Sequence, residues 1–324
     1  MSKSQRGTGR AERPPRHTTV PPSAPSPLRS RHPMLFTLLP VALVLLAIVT
    51  MVVIKTAGGS GGPSAAASTA SASKLAAGSG AASNDNGTSP LPSGVLSDVT
   101  SVSPTTLAAV GSPGAVPLPV SVSGTQILRA ADGKPEIVYI GAEYCPFCAA
   151  ERWALVQALS RFGTFSGLTA THSSSTDAYP NTQTFSFFGS TYTSPYLDFT
   201  PVEEESNQPA GGSYASLQTP TATENALLAK YDVAPYTSEP GSIPFLDLGN
   251  RYVVVGASYT PQVLQGLSLR TTAADLNNPN SVVATAIDGT ANAITAGICA
   301  LTGDQPASVC NTPTIAAIVP RLGS

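Results

Sequence analysis

Hydrophobic and polar residues alternate in patterns that predict a strand followed by a helix near the middle of the chain. Glu136 to Gly141 is a short β-branched and aromatic run, which is typical of a strand. From Pro146 to Phe162 apolar residues recur at intervals of three, which predicts a helix with one face packed on a sheet. Trp153 is expected in the core on that face. The charged residues of the segment are expected off it: Glu151, Arg152 and Arg161.

Similar patterns and turn residues predict further elements downstream and upstream of this pair. They are strands at Gln126–Arg129, Leu168–His172 and Gln183–Phe188, a helix at Glu224–Tyr231, and a β-hairpin made of Ile243–Leu248 and Arg251–Gly256. Beyond Pro261, Ala- and Leu-rich segments alternate with Asn, Pro and Gly, which predicts three or four C-terminal helices. The order of elements indicates an α/β domain.

The N-terminal part of the chain predicts a membrane anchor and a linker. The run from Met34 to Ile54 has no charge and is long enough, at about 1.5 Å per residue, to cross a hydrocarbon core of roughly 30 Å. Seven Lys or Arg residues and one Glu precede it, which predicts a cytoplasmic N-terminus. We therefore expect a basic cytoplasmic tail (1–33), a transmembrane anchor (34–54), a disordered Ala/Gly/Ser linker (55–94) and an extracytoplasmic domain (95–324).

Charge narrows the expected partners of the outer domain. From Thr56 onward the chain carries all but one of its 19 acidic residues but only nine of its 17 basic ones. A net negative domain argues against nucleic-acid binding. The basic tail beside a membrane span is best explained by topology, so the membrane itself is the expected partner there.

Cys145 and Cys148 form a C-x-x-C motif at the junction of the predicted strand and helix. Two residues between cysteines let one sulfur attack a substrate disulfide while the other resolves the mixed disulfide. Cys145 lies where the unpaired N–H groups of a helix start favour a thiolate, and Cys148 lies about one turn inside. We expect Cys145 to be the nucleophile and Cys148 the resolving thiol.

Other roles for cysteine fit the sequence less well. A zinc site would need a second pair of cysteines only a few residues apart in sequence, whereas ten residues separate Cys299 from Cys310. No His lies near either pair in sequence. Ala149 replaces the His that haem attachment requires. An isolated His172 gives weak support to a Cys–His hydrolase. Cys299 and Cys310 are expected to form a structural disulfide, with a redox relay to the C-x-x-C pair as the alternative. We expect no metal and no cofactor.

Residues around the motif resemble the thioredoxin superfamily. Ala142-Glu143-Tyr144-Cys145 is similar to the Ala-Glu-Trp-Cys of thioredoxins, and Ser242-Ile243-Pro244-Phe245 resembles the segment that carries their cis-proline. The resemblance implies that Ile243 contacts the substrate, and we add Tyr144, Pro146, Phe147 and Pro244 as substrate-binding candidates. Tyr139 stands where thioredoxin has a buried Asp. Glu143 or Glu151 is a possible substitute, although such residues are more often solvated at the surface.

A closer resemblance, to the domain of unknown function 929 family, covers nearly all of the globular part. It is carried by Gly141 to Ala154, Ser160 to Phe165 and the late pair Cys299 and Cys310. It implies a membrane-anchored, thioredoxin-like protein of unassigned activity. The long stretch between the C-x-x-C helix and the strand that begins near Pro244 is then interpreted as an insertion, centred on Ser173 to Gly212.

Two functional hypotheses follow from these observations. The first is a membrane-tethered extracytoplasmic thiol-disulfide oxidoreductase, whose partners would be cysteine-containing envelope proteins or a membrane redox protein. The second is a non-catalytic binding module with structural disulfides, suggested by the missing buried acid and by the aromatic residues of the insertion. Those residues are expected mainly in the core, with a binding groove as the alternative: Tyr179, Phe185, Phe187, Phe188, Tyr192, Tyr196 and Phe199.

Overall fold

The computed structural model of this protein describes residues 87–323. The predicted tail (1–33), the predicted anchor (34–54) and most of the predicted linker (55–94) lie outside the described residues. At the described end of that linker, Ser89 and Pro90 already pair with a strand of the folded part.

The described part is a mixed α/β structure with strands, eight helices and two short 3-10 turns. The strands are β1 (Ser89–Pro90), β2 (Val120–Ser121), β3 (Glu136–Gly141), β4 (Thr164–Ser166), β5 (Thr169–His172), β6 (Gln183–Ser186), β7 (Thr191–Thr193), β8 (Asp198–Glu203), β9 (Glu205–Ala210), β10 (Ser213–Ser216), β11 (Phe245–Leu248) and β12 (Tyr252–Val255). The helices are α1 (Val95–Thr100), α2 (Pro104–Val110), α3 (Pro146–Leu159), α4 (Ala222–Tyr231), α5 (Leu269–Asp275), α6 (Val282–Thr302), α7 (Ala307–Cys310) and α8 (Pro313–Ile318). The 3-10 turns are Pro261–Leu264 and Val319–Arg321.

A central sheet of five strands, in the order β2-β12-β11-β3-β8, supports the C-x-x-C motif. Strand β3 is antiparallel to β11 and parallel to β8, with Ile140 opposite Phe245 on one side and Val202 on the other. Ile137 to Gly141 are all buried, as expected for a strand covered on both faces. The parallel pairing makes β3, α3 and β8 a βαβ unit.

Strand β8 lies within the segment that the sequence assigns to an insertion, so that segment is only partly an insertion. Asp198–Glu203 includes Pro201, which has no N–H to donate. The strand tolerates this proline because it occupies the edge of the sheet, with β3 as its one neighbour there. The other strands of this region form small sheets, β1-β5-β6, β4-β7 and β9-β10.

One predicted strand is absent from the described structure. Between Gln126 and Arg129 there is one isolated bridge, from Arg129 to Pro135, and Leu128 makes separate backbone bonds to Gly249 and Glu136. Because Pro135 cannot donate a hydrogen bond, the pairing does not extend into a ladder.

Helix α3 is buried on all sides, which corrects the prediction of a single apolar face. Every residue from Cys148 to Leu159 is buried, Glu151 and Arg152 included. The helix packs against α6 and β6 and is also contacted by α1. Neighbours on several sides leave no solvent-facing side, so its polar residues must find partners in the interior. Trp153 is in the core as predicted, and its indole N–H donates to the Gln183 carbonyl.

Helix α6 is the one described helix that is long and apolar enough to span a membrane. It has 21 residues and a mean hydropathy of 1.3, and 89% of the most apolar stretch is buried inside the protein. Its burial against α2, α3 and α8 accounts for its composition as that of a core helix. Cys299 near its end forms a disulfide with Cys310 at the end of α7.

Candidate functional site

Cys145 occupies the N-cap position of helix α3, directly after strand β3 and a short turn. Its Sγ accepts a hydrogen bond from the backbone N–H of Cys148 at 3.4 Å, and Pro146 fills the first helical position. Proline suits that position because its missing N–H would have no helical acceptor there. Both cysteines are free thiols; Cys145 is 6% exposed and Cys148 is fully buried.

The pKa values of the two thiols are shifted in opposite directions. The neighbouring Cys148 side chain lowers the pKa of Cys145, assisted by the N–H groups of Cys148 and Phe147 and the charge of Arg152, while burial opposes the shift. Burial raises the pKa of Cys148 well above its ordinary value, and the nearby Cys145 adds to this. Cys145 is therefore the thiol that ionises first.

The chain brings Ile243 and Pro244 to the first cysteine across 98 residues of sequence. The Sγ of Cys145 lies 3.8 Å from the carbonyl oxygen of Ile243. The Ile243–Pro244 peptide bond is cis, and Pro244 is buried directly before β11. The Pro244 carbonyl accepts a hydrogen bond from Gly256 at 2.8 Å, which ties this segment to the hairpin.

Two pairs of aromatic rings flank the motif. The Tyr144 ring stacks on Tyr214, with centroids 4.4 Å apart and planes 9° apart. Phe147, which is 41% exposed, meets the edge of Tyr179 with centroids 5.9 Å apart. The sequence predicted Tyr144, Phe147 and Tyr179 as candidates but missed Tyr214. Nothing local marks Tyr214, because only the folding of β10 brings it back to the motif.

Most other aromatic residues of this region form the core, as the sequence predicted. Phe185 packs edge-on against Trp153, and Phe187 packs against Tyr139. A further cluster of rings surrounds Phe165, with centroids within 6.0 Å: Phe187, Tyr192 and Phe199. The surface beside Cys145 therefore owes its aromatic character to Tyr144, Phe147, Tyr179 and Tyr214.

A buried ion pair lies within electrostatic reach of both thiols. Arg152 Nε and Nη2 donate to the two oxygens of Glu203, at 2.8 and 2.5 Å, and both side chains are fully buried. Burial opposes the charge on Arg152, but the Glu203 carboxylate outweighs it and raises the pKa of the guanidinium. The charge of Arg152 favours the thiolate form of Cys145 and of Cys148. The sequence missed Glu203 because it lies on the unpredicted strand β8.

Tyr139 is buried beside this ion pair and beside Cys148. Its ring lies 5.8 Å below the Arg152 guanidinium carbon. A Cβ on Gly141 would collide with the Tyr139 hydroxyl and come within 3.0 Å of the Cys148 sulfur, so glycine leaves room for both groups. The hydroxyl has no hydrogen-bond partner among the described residues, and burial raises its pKa. A neutral hydroxyl group thus lies near the Cys148 sulfur.

Glu143 and Glu151 are both buried, which corrects the expectation of surface solvation. Glu143 accepts hydrogen bonds from Ser186 and Thr171, and Glu151 accepts from the N–H and hydroxyl of Ser258 at 2.8 and 3.0 Å. Burial raises the pKa of each to about 7. The hydrogen bonds seen in the described structure tie both carboxyls to neighbouring segments and not to the sulfurs.

The C-x-x-C motif is not part of a metal-ligand cluster in the described residues. Residues 87–323 contain no group of three or more His, Cys, Asp and Glu side chains that could hold a metal ion. A cleft of about 270 Å³ opens beside Tyr144 and contains two carboxylates, Glu204 and Glu205. The lining of this cleft includes Tyr144, the neighbour of Cys145 in sequence, but not Cys145 itself.

The site and its sheet define a class of α/β protein with a buried dithiol at the start of a helix in a βαβ unit. The chain belongs to the DUF929 family, a domain of unknown function, which it matches over residues 119–300. No curated protein and no solved structure matches the chain. The matched region contains the C-x-x-C motif, the Ile243–Pro244 segment and Cys299.

Proposed function

We propose that this protein is a thioredoxin-like thiol-disulfide oxidoreductase, tethered to a membrane and active outside the cytoplasm. The observation that carries the proposal is the pairing of a low-pKa Cys145 at a helix start with a fully buried Cys148 one turn further on. A C-x-x-C motif beside a βαβ unit is typical of thioredoxin-like redox proteins. The position of the cis bond before Pro244, next to Cys145, is further support.

The reaction follows from the two thiols. The Cys145 thiolate attacks one sulfur of a substrate disulfide, the substrate S–S bond breaks, and the departing thiolate takes up a proton. Cys148 then loses its proton and attacks Cys145, which releases the second substrate thiol. The substrate disulfide gains two electrons and the Cys145–Cys148 pair becomes a disulfide. The same steps in reverse oxidise a substrate dithiol.

The surface around Cys145 favours a polypeptide substrate. The Ile243 carbonyl lies beside the sulfur, where the thioredoxin resemblance assigns contact with the substrate backbone. Exposed Phe147 and the stacked Tyr144 offer apolar surface on either side. The substrate-binding role of Tyr144, Pro146, Phe147, Ile243 and Pro244 is part of this proposal. Cysteine-containing envelope proteins or a membrane redox protein are the partners it names.

Two features support the location. The uncharged run from Met34 to Ile54 and the basic residues before it predict an anchor with the folded part outside. The Cys299–Cys310 disulfide is in keeping with an oxidising compartment, where such bonds persist.

The decisive experiment is trapping by cysteine variants of the full-length chain. Cys148→Ser should accumulate mixed disulfides with envelope proteins, because the resolving step is removed. Cys145→Ser and the double variant should accumulate none, and Cys145→Ser should abolish turnover of a disulfide substrate. If Cys148→Ser traps nothing and the wild type exchanges with no disulfide, the proposal is wrong.

A reduction potential separates this proposal from the binding-module alternative. Structural disulfides have potentials below about −300 mV, and catalytic ones lie above. We expect the Cys145–Cys148 pair to equilibrate with a glutathione buffer. A pair that stays oxidised throughout such a buffer would favour a stable disulfide in a binding module.

A further inference from the structure

A second cavity, whose lining includes no residue of the dithiol site, opens among the helices. It has a volume of about 320 Å³ and lies between α1, α2, the end of α3, α6, α7 and α8. This volume is at the lower end of the range for small-molecule pockets. Much of its lining is aliphatic, contributed by Val99, Val102, Leu107, Val309 and Ile315. Seven polar side chains also line it: Gln157, Arg161, Asn292 and the hydroxyl residues Thr100, Ser308, Thr312 and Thr314.

Arg161 brings an incompletely paired cation to this cavity. Its Nη1 donates to Asn292 Oδ1 and to Thr295 Oγ1, both at 2.9 Å. Its Nη2 is buried and has no hydrogen-bond partner within the described part of the chain. Burial lowers the pKa of Arg161 to about 10, so the guanidinium is still charged at neutral pH. Buried polar groups normally find partners, so two spare N–H donors here call for an acceptor.

Asp288 is the acidic residue whose charge acts on Arg161, but it does not supply that acceptor. Asp288 accepts from Gln157 Nε2 through Oδ1, and its Oδ2 has no partner among residues 87–323. It makes no ion pair with Arg161 in the described structure and does not line the cavity. Burial raises the pKa of Asp288 to about 7, so about half of it is neutral at that pH. The guanidinium therefore lacks a full counter-charge.

We propose that this cavity binds a small amphiphile that has one carboxylate and an apolar alkyl or aryl body. The Arg161 guanidinium turns so that Nη2, which is closed to the cavity in the described structure, meets the carboxylate, and the apolar body lies against the aliphatic side chains. A single cation with two spare donors matches a monoanion, and a guanidinium binds carboxylates through charge-assisted hydrogen bonds. An uncharged apolar ligand would fill the same space but would leave the donors unpaired.

Photoaffinity labelling of the full-length chain can test this site. The probe is decanoic acid carrying a diazirine, its methyl ester is the matched uncharged probe, and mass spectrometry locates the label. We expect the acid to label peptides of α1, α2, α7 and α8 and decanoate to compete. Arg161→Met should lower labelling by the acid about ten-fold, which is the loss of one charge-assisted hydrogen bond, and should leave labelling by the ester unchanged.

A pair of surface variants keeps the test independent of Arg161. Ala108 is exposed and lines the cavity, whereas Ala109 is exposed on the same helix and does not line it. Ala108→Trp should block labelling by the acid, and Ala109→Trp should leave it unchanged. Equal labelling of the wild type by acid and ester, or equal labelling of the two tryptophan variants by the acid, would overturn the proposal even if Arg161→Met fails to fold.

Discussion

Arg152 binds both carboxylate oxygens of Glu203 in the protein interior, and this joins helix α3 to the edge strand β8. The guanidinium of this pair holds a positive charge within reach of two thiols that are themselves almost inaccessible to water. In a low-dielectric interior such a charge acts on its neighbours more strongly than it would in solvent. The ion pair therefore matters for the acidity of Cys145 as well as for packing.

Removal of the buried charges should raise the pKa of Cys145. Single variants of this pair would leave one charge buried without a partner and destabilise the fold by about 3 to 5 kcal/mol. The double variant Arg152→Met/Glu203→Met avoids that penalty. We expect a higher pKa of Cys145 in it, measured from the pH dependence of alkylation by iodoacetamide. Lys134→Met/Asp198→Asn removes a partly exposed ion pair and should leave this pKa unchanged. An equal shift in both double variants would contradict the assignment.

Tyr139→Phe should slow the resolving step without weakening the fold. The Tyr139 hydroxyl is buried and unpartnered in the described structure, so its removal costs no folded-state hydrogen bond. When Cys148 ionises, the hydroxyl is a further donor near its sulfur, besides the backbone N–H of Ala142. We expect a mixed disulfide with glutathione to decay about ten-fold more slowly in the variant, which corresponds to one hydrogen bond to a charged group. Quenched-flow mass spectrometry measures this rate.

Tyr231→Phe is the matched control for that experiment. The Tyr231 hydroxyl bonds to Asn250 at 2.8 Å, in a part of the structure outside the dithiol site. Its loss should reduce the free energy of unfolding by about 1 kcal/mol and leave the decay rate unchanged. If the mixed disulfide of Tyr139→Phe decays at the wild-type rate, the hydroxyl has no part in the resolving step and Tyr139 contributes only packing.

Glu151→Gln should change how stability depends on pH. The folded pKa of Glu151 is about 7 against an ordinary value of 4.5, because the carboxyl is buried. Between these values the folded protein holds a proton that the unfolded chain has lost, so stability falls as pH rises through this window and is level above it. The contribution of this one group is roughly 3 kcal/mol.

Urea denaturation from about pH 5 to about pH 8 checks this effect. Gln can keep the contacts with Ser258 without titrating, so the variant should gain stability over the wild type as the pH rises. The wild type retains some pH dependence from Glu143, Asp247 and Asp288, whose pKa values burial also raises to about 7. Glu239→Gln replaces an exposed carboxyl, and its free energy of unfolding should follow the same pH dependence as that of the wild type. If the free energy of unfolding of Glu151→Gln also follows the wild-type pH dependence, the raised pKa of Glu151 is contradicted.

Loss of the Cys299–Cys310 disulfide should affect stability and leave the dithiol unaffected. The bond closes a loop with a sequence separation of 11, and both cysteines are buried. We expect Cys299→Ala/Cys310→Ala to lose about 3 kcal/mol of unfolding free energy, by urea denaturation. The reduction potential of Cys145–Cys148 should be unchanged. A relay between the pairs predicts the opposite, a turnover defect out of proportion to the loss of stability.

The sequence by itself determined the local elements that carry the motif. The β-branched run gave β3, the apolar spacing gave α3, and the turn Gly249-Asn250 gave the hairpin of β11 and β12, because each depends on contacts between residues close in the chain. The resemblance to thioredoxins implied a cis bond at Ile243–Pro244, and the structure has one there. The cis bonds before Pro235 and Pro306 were not predicted. The motif resemblance to the DUF929 family agrees with the family match.

The tertiary structure decided which side chains surround the thiols. Helical periodicity cannot tell that α3 is covered on several sides, so Glu151 and Arg152 were expected away from the interior. Strand β8, with its proline and polar residues, has no clear strand pattern, and its place beside β3 depends on contacts across more than fifty residues. Glu203 on β8 and Tyr214 on β10 reach the site only because the chain folds back toward the motif there. Burial and pairing of distant charges are properties of the whole fold, and these set the environment of Cys145.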